Sequence, residues 1–136
     1  MKPAGYSGTP LAQKLGIKPG ARVFVASAPV DYRVLVAPWP GGAALARQLD
    51  RTIDVAHVFA TRKNTLSKFL RRATKKMRAD AAIWISWPKK AANVSTDISE
   101  DTIRAVALPL GLLDIKVCAV DEVWSGLKLV VRKELR

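Results

Sequence analysis

The stretch that most constrains this chain is Ala81–Lys90, AAIWISWPKK. An apolar run holding Ile83, Trp84, Ile85 and Trp87 suits a strand buried on both faces, and such a strand needs a layer on each side of its sheet. Pro88 has no amide hydrogen to give to a ladder, so the strand stops there. Lys89 and Lys90 follow at once. In an open α/β sheet the carboxyl ends of the strands are where ligands settle. This end is therefore the first candidate site.

The rest of the chain supplies the other layers. Thr9, Pro10 and Gly16 punctuate a short helix carrying Leu11, Ala12 and Leu15, too short to persist unless docked. Residues 1–20 thus read as a docked cap on a single domain spanning 1–136. Ala21–Ser27 is the first strand. The chain continues as SAPVDY, without the glycine that a diphosphate-binding turn requires after such a strand. Val30–Val36 suggests a short helix, PWPGG at Pro38–Gly42 a turn, and Ala43–Leu49 either a short helix or an edge strand. Asp54–Ala60 is a second core strand, with His57 inside it as a structural residue.

A helix capped by Thr61 follows. Leu66, Phe69, Leu70, Ala73 and Met77 form its apolar stripe, while Lys68, Arg71, Arg72, Lys75 and Lys76 line the opposite face. Between Thr61 and Ala79 there are eight basic residues and no acid. Like charges three and four residues apart repel, and a polyanion would relieve that repulsion. No aromatic residue lies on this polar face, so the contact it suggests is with phosphate rather than bases. After the polar loop Ala91–Asp97, Ser99 caps a helix with Glu100 and Asp101 in its first turn and Ile103, Val106, Ala107 and Leu110 on its buried side. Asp114–Trp124, a turn at Ser125–Gly126, and Leu127–Arg132 read as a hairpin. Crossover connections make the early strands parallel, and the hairpin adds an antiparallel one. The expected fold is α/β: a three-layer Rossmann-like sheet, mostly parallel, with a C-terminal antiparallel hairpin.

Charge and cysteine content narrow the function classes. Lys and Arg total 23 against 11 acidic residues, a formal +12 in 136 residues, which concentrates anions at the surface. The lone Cys118 permits no internal disulfide, offers no metal-ligand spacing, and reads as a small hydrophobe. No apolar run approaches the ~20 residues of a membrane span, and no signal-peptide pattern opens the chain. The expectation is a cytoplasmic protein with neither metal nor cofactor.

Three stretches carry a resemblance: GYSGTPLAQKLGI at Gly5–Ile17, WISWPKKAANVSTD at Trp84–Asp97, and LPLGLLDIKVCAVDEVWSGLKLVVRKELR at Leu108–Arg136. Together they resemble the bacterial family termed domain of unknown function 3052, over nearly the whole chain. That resemblance implies a reduced Rossmann-type sheet, similar to the later half of class I methyltransferases, whose final strands also form an antiparallel hairpin. The glycine-rich first motif of those enzymes is missing here, as is an acid closing a second strand, and both absences count against a bound cofactor.

Three groups of candidate residues follow. Trp87, Lys89, Lys90, Ser95 and Thr96, with Ser86 and Asn93 nearby, form a candidate anion-binding loop. Asp121 continues an apolar face with Val117, Ala119 and Val123, so it needs a partner. Lys128, or Tyr6, Ser7 and Thr9, would supply one, making Asp121 either a latch for the N-terminal segment or a buried acid. The third group is the basic helix face. The leading reading is a binding or regulatory module for a partner protein or an anionic ligand. The alternatives are a divergent S-adenosylmethionine-dependent methyltransferase-like protein and a nonspecific nucleic-acid binder. An uncovered sheet margin would favour a homodimer.

Overall fold

The structure is a computed structural model, and it describes residues 8–136. Six strands form one sheet in the order β2-β1-β3-β4-β6-β5. They are β1 (Arg22–Ala26), β2 (Ala44–Ala46), β3 (Val55–Phe59), β4 (Ala82–Pro88), β5 (Leu112–Ala119) and β6 (Trp124–Val131). The first four are mutually parallel, β6 runs antiparallel to β4, and β5 closes the edge antiparallel to β6. The undecided stretch Ala43–Leu49 holds the three-residue edge strand β2.

Among the described residues, four α-helices cover the sheet: α1 (Leu11–Leu15), α2 (Tyr32–Leu35), α3 (Lys63–Lys76) and α4 (Glu100–Ala107). Alternation along the central strands divides the interior into two cores. Ile83, Ile85 and Trp87 of β4 join Ala56 and Val58 of β3 under α3 and α4, with Leu66, Leu70 and Ile103. Trp84 faces the other way with Val55 and Phe59, against Leu15, Ile17 and Tyr32. Both faces of β4 are sealed, as its apolar run requires. The indole N–H of Trp84 donates to the carbonyl of Leu15 at 2.9 Å, which pins α1 to the sheet.

Helix ends follow from local chemistry. Gly16 closes α1 at φ 76°, a left-handed conformation that costs glycine little. Ser99 and Thr102 make a reciprocal capping box on α4. Capping of α3 departs from the expectation at Thr61. Its first turn is held from outside, by Asp97 accepting from the Lys63 amide at 2.6 Å. At the far end, Arg78 bonds the carbonyls of Arg51 and Ile53 and pairs with Asp54 and Asp80.

The hairpin corrects the sequence reading. The turn lies at 120–123, and Ser125 and Gly126 sit inside β6, opposite Ala119 and Cys118. Asp121 explains the shift: its Oδ1 accepts from the amides of Val123 and Trp124, both at 2.8 Å, an arrangement that favours a turn there. Gly126 is needed where it stands for space. A Cβ there would come within 3.1 Å of Val120 and 3.3 Å of the Trp84 ring.

Candidate functional site at the carboxyl ends of the parallel strands

From β1 the chain steps out to β2 and then crosses back to β3 on the other side. The sheet's topological switch point therefore lies between the carboxyl ends of β1 and β3, where an open α/β sheet leaves a crevice. Ser27, the first residue beyond β1, takes a left-handed conformation at φ 60°. A non-glycine residue held there bears backbone strain, a feature concentrated at ligand clamps and turns. The sequence lacks a glycine at this point, yet the chain still makes the sharp turn.

Beneath the rim, on the α1 and α2 side, lies an aromatic cluster that the sequence reading missed. Tyr32 packs edge-on against Trp39, His57 and Phe59. His57 stacks on Phe59 at 4.4 Å, and Trp124 meets Phe59 edge-on at 5.3 Å. Trp39 and Trp124 are half-buried, each with an edge reaching solvent. Trp39 is fixed by its indole N–H donating to the Ala43 carbonyl at 2.8 Å, and Trp124 sits opposite Pro88 at the end of β4. His57 and Phe59 share one face of β3 by strand alternation, but only the strand order brings that face together with Tyr32 and Trp124.

The same cluster holds a buried polar chain. The Tyr32 hydroxyl lies 2.7 Å from His57 Nδ1, and His57 Nε2 lies 2.7 Å from Ser86 Oγ. A neutral imidazole has one donor and one acceptor nitrogen, so it satisfies both hydroxyls. Burial pushes the His57 pKa down to about 3 and raises that of the Tyr32 phenol. The spacing is that of a nucleophile and its base, but His57 and Ser86 are fully buried, beyond the reach of a substrate. The chain is a strut that ties α2 to β3 and β4. His57 is structural, as the sequence reading expects.

The loop after β4 carries four of the five candidates, each held to a different neighbour or exposed. The Lys89 amide donates to the Val123 carbonyl at 2.7 Å, and Lys90 starts an exposed 3₁₀ turn that ends at Asn93. Ser95 accepts from Arg62 at 3.3 Å. Thr96 Oγ1 donates to the Thr61 carbonyl at 2.7 Å and accepts from the Ile98 amide. Thr96 and Asp97 thus staple this loop to the start of α3. Trp87 stands apart: only 7% exposed, it lies in the core beneath α3 and α4 and cannot wall an open crevice. Strand alternation turns its ring away from the aromatic cluster.

Asp121 is occupied by its own turn. Lys128 lies four positions along extended β6, opposite Trp84, and is not its partner. Tyr6 and Ser7, the other proposed latch partners, lie outside the described residues. Burial raises the Cys118 thiol pKa, so this sulfur is a poor nucleophile. Lys68, Arg71, Arg72, Lys75 and Lys76 are all exposed on the outer face of α3. Two hollows lie at the opposite, amino ends of the strands. One of ≈ 320 Å³ is lined by Thr74, Met77, Arg78 and Leu112, the other of ≈ 440 Å³ by Gly16, Lys18, Asp54 and Lys128. No group of three metal-ligating side chains occurs among the described residues.

A parallel sheet with a switch point at β1/β3 and a reversed penultimate strand defines a methyltransferase-like α/β fold. Solved structures bear this out. The chain is similar to a SAM dependent methyltransferase from Aquifex aeolicus at TM-score 0.63 and 15% identity, over 89% of this chain and 88% of that one. It is similar to TrmN from Thermus thermophilus at TM-score 0.59 and 13% identity, over 89% of this chain and 47% of TrmN, so it spans about half of that protein. The fibrillarin pre-rRNA processing protein of Methanococcus jannaschii matches at TM-score 0.59 and 8% identity, over 93% of this chain and 70% of that one. No protein-family model matches the chain, and no curated protein does. Among the described residues, no helix is long and apolar enough to cross a membrane.

The rim can be compared with the needs of S-adenosylmethionine. The turn at Ser27 and the half-buried Trp124 beside the end of β4 suit an adenosyl group, which needs a close backbone approach and an apolar wall. The ribose end does not match. The residue after β2 is Arg47, a donor without acceptor capacity, where ribose hydroxyls call for a carboxylate. Asp31 already accepts from the Arg33 amide, and Asp50 from Thr52.

Proposed function

We propose that this chain is a divergent methyltransferase-like protein whose small-molecule site is the crevice over the carboxyl ends of β1, β3 and β4. S-adenosylmethionine is the first ligand to test there. One observation carries the reading: the likeness to the Aquifex methyltransferase extends over 88% of that chain, so most of that fold is present here. The strained turn at Ser27 and the half-buried Trp124 support it. Arg47 sets the ligand geometry apart from the usual ribose contact, and no methyl-transfer step is assigned. Membership of the domain of unknown function 3052 family, supported by the three motifs, and a cytoplasmic setting belong to the same proposal.

Calorimetric titration with S-adenosylmethionine and S-adenosylhomocysteine tests it. The expected result is saturable heat with both ligands, weakened at least tenfold by Trp124→Ala in a protein whose circular dichroism is unchanged. No heat and no thermal shift at millimolar ligand would remove adenosyl compounds from the reading.

A second reading is a binding module for an anionic ligand or partner protein at the β4 loop. Lys89 and Lys90 favour it, since neither has an ion-pair partner among the described residues. Titration with inorganic phosphate against a Lys89→Gln/Lys90→Gln variant separates it from the first, because adenosyl binding would survive those changes.

A further inference from the structure

We infer that the outer face of α3 is a docking surface for the phosphate backbone of double-stranded nucleic acid. This surface is separate from the crevice. Six of the fourteen residues of α3 are cationic, from Lys63 to Lys76, and none is acidic. Lys68, Arg71, Arg72, Lys75 and Lys76 are exposed and, among the described residues, form no ion pair. The nearest carboxylates are spent elsewhere: Asp54 and Asp80 are both engaged by Arg78 just past the helix end. Asp97 is engaged by the Lys63 amide at the start of the helix.

Geometry favours a linear polyanion. Lys68, Arg72 and Lys76 form one column at intervals of four residues, and Arg71 and Lys75 a second beside it. Four residues of helix rise about 6 Å, close to the step between neighbouring phosphates of one strand. Arg72 is held with its guanidinium over the Phe24 ring, 5.9 Å from the centroid, so part of this face is pre-ordered.

Competing partners fit less well. A helix lying on a lipid surface must bury its own apolar face in the membrane. Here Leu66, Phe69, Leu70 and Ala73 are already sealed against the sheet. A protein partner normally needs an apolar or aromatic anchor at the centre of the interface, and this face has none. The missing aromatics also argue against single strands, whose binding rests on base stacking. What remains is sequence-independent contact with backbone phosphates.

The test is fluorescence anisotropy with a labelled 20-base-pair random-sequence duplex and the matching single strand, across a range of salt. The variant is Lys68→Gln/Arg71→Gln/Lys75→Gln/Lys76→Gln, which leaves Arg72 on Phe24. Five neutralised phosphates, one for each exposed cation of the face, give a slope of log K against log salt of about −4.5 on duplex for the unaltered protein. The variant should bind at least tenfold more weakly at low salt, with a slope of about −1 from the Arg72 that remains. Its melting temperature should be equal or higher, because repulsion along the helix is relieved. Salt-insensitive binding would overturn the inference, as would undiminished duplex binding by the variant. Binding confined to the single strand, or to phosphatidylserine vesicles without any to duplex, would overturn it equally.

Discussion

Acid should destabilise this protein through His57 before it reaches most of the carboxylates. The imidazole is fully buried between the Tyr32 and Ser86 hydroxyls, and burial holds its pKa near 3 instead of 6.5. The unfolded chain therefore takes up a proton that the folded one refuses. Stability from this residue is complete above about pH 6.5 and is lost as pH falls towards about 3. Each unit of separation is worth about 1.4 kcal/mol, so the loss is about 2 kcal/mol by pH 5 and approaches about 5 kcal/mol below pH 3. Against a typical domain stability of about 5–15 kcal/mol, the first step alone is measurable. Asp114, whose carboxyl the hydrogen bond from Arg104 holds below the usual range, adds its own loss only as pH falls below about 4, under the range of the assay. Urea unfolding should be followed by circular dichroism at several values between about pH 7.5 and 4.5, for the natural protein and for His57→Gln. Glutamine keeps a donor and an acceptor but does not titrate. The variant should start lower and then stay flat, while the natural protein loses about 2 kcal/mol by pH 5. Parallel pH slopes for the two proteins would refute the reasoning.

Three further outcomes follow from particular contacts. Asp97→Ala removes the acceptor for the Lys63 amide and should cost about 1 kcal/mol, seen as a melting temperature lower by about 3–5 °C. Trp84→Phe leaves the Leu15 carbonyl without its indole donor. It should cost about 2–3 kcal/mol, with faster hydrogen exchange at Gly16 and Ile17, while α3 amides exchange as before. Asp121→Ala strips two amides of the β5–β6 turn of their acceptor. A loss of about 1–2 kcal/mol is expected, and Asp121→Asn, which keeps the acceptor oxygen, should recover most of it.

Much of the architecture is legible in the chain because it is periodic. The run Ile83–Trp87 alternates between two sealed cores, and the 3.6-residue stripe Leu66, Phe69, Leu70 and Ala73 becomes the buried side of α3. The hairpin turn is misread from the sequence because Ser125–Gly126 has turn composition. Gly126 is in fact a strand residue kept small by Trp84, which lies across the ladder from its neighbour Lys128. The loop after β4 is found in the sequence, yet Trp87 is assigned to the wrong side of it. Its facing depends on which strands and helices flank β4.

By itself, then, the sequence determined most strand and helix segments, though not β2 or the hairpin turn, together with the covered central strand and the cationic face of α3, since each is written in local spacing and charge. Tertiary structure alone decided the rest. The chain Tyr32–His57–Ser86, the packing of Trp124 on Phe59 and the Asp97 cap on α3 join residues 25 or more positions apart. Contacts of that kind leave no periodic trace, because they exist only once the order β2-β1-β3-β4-β6-β5 has placed those strands side by side.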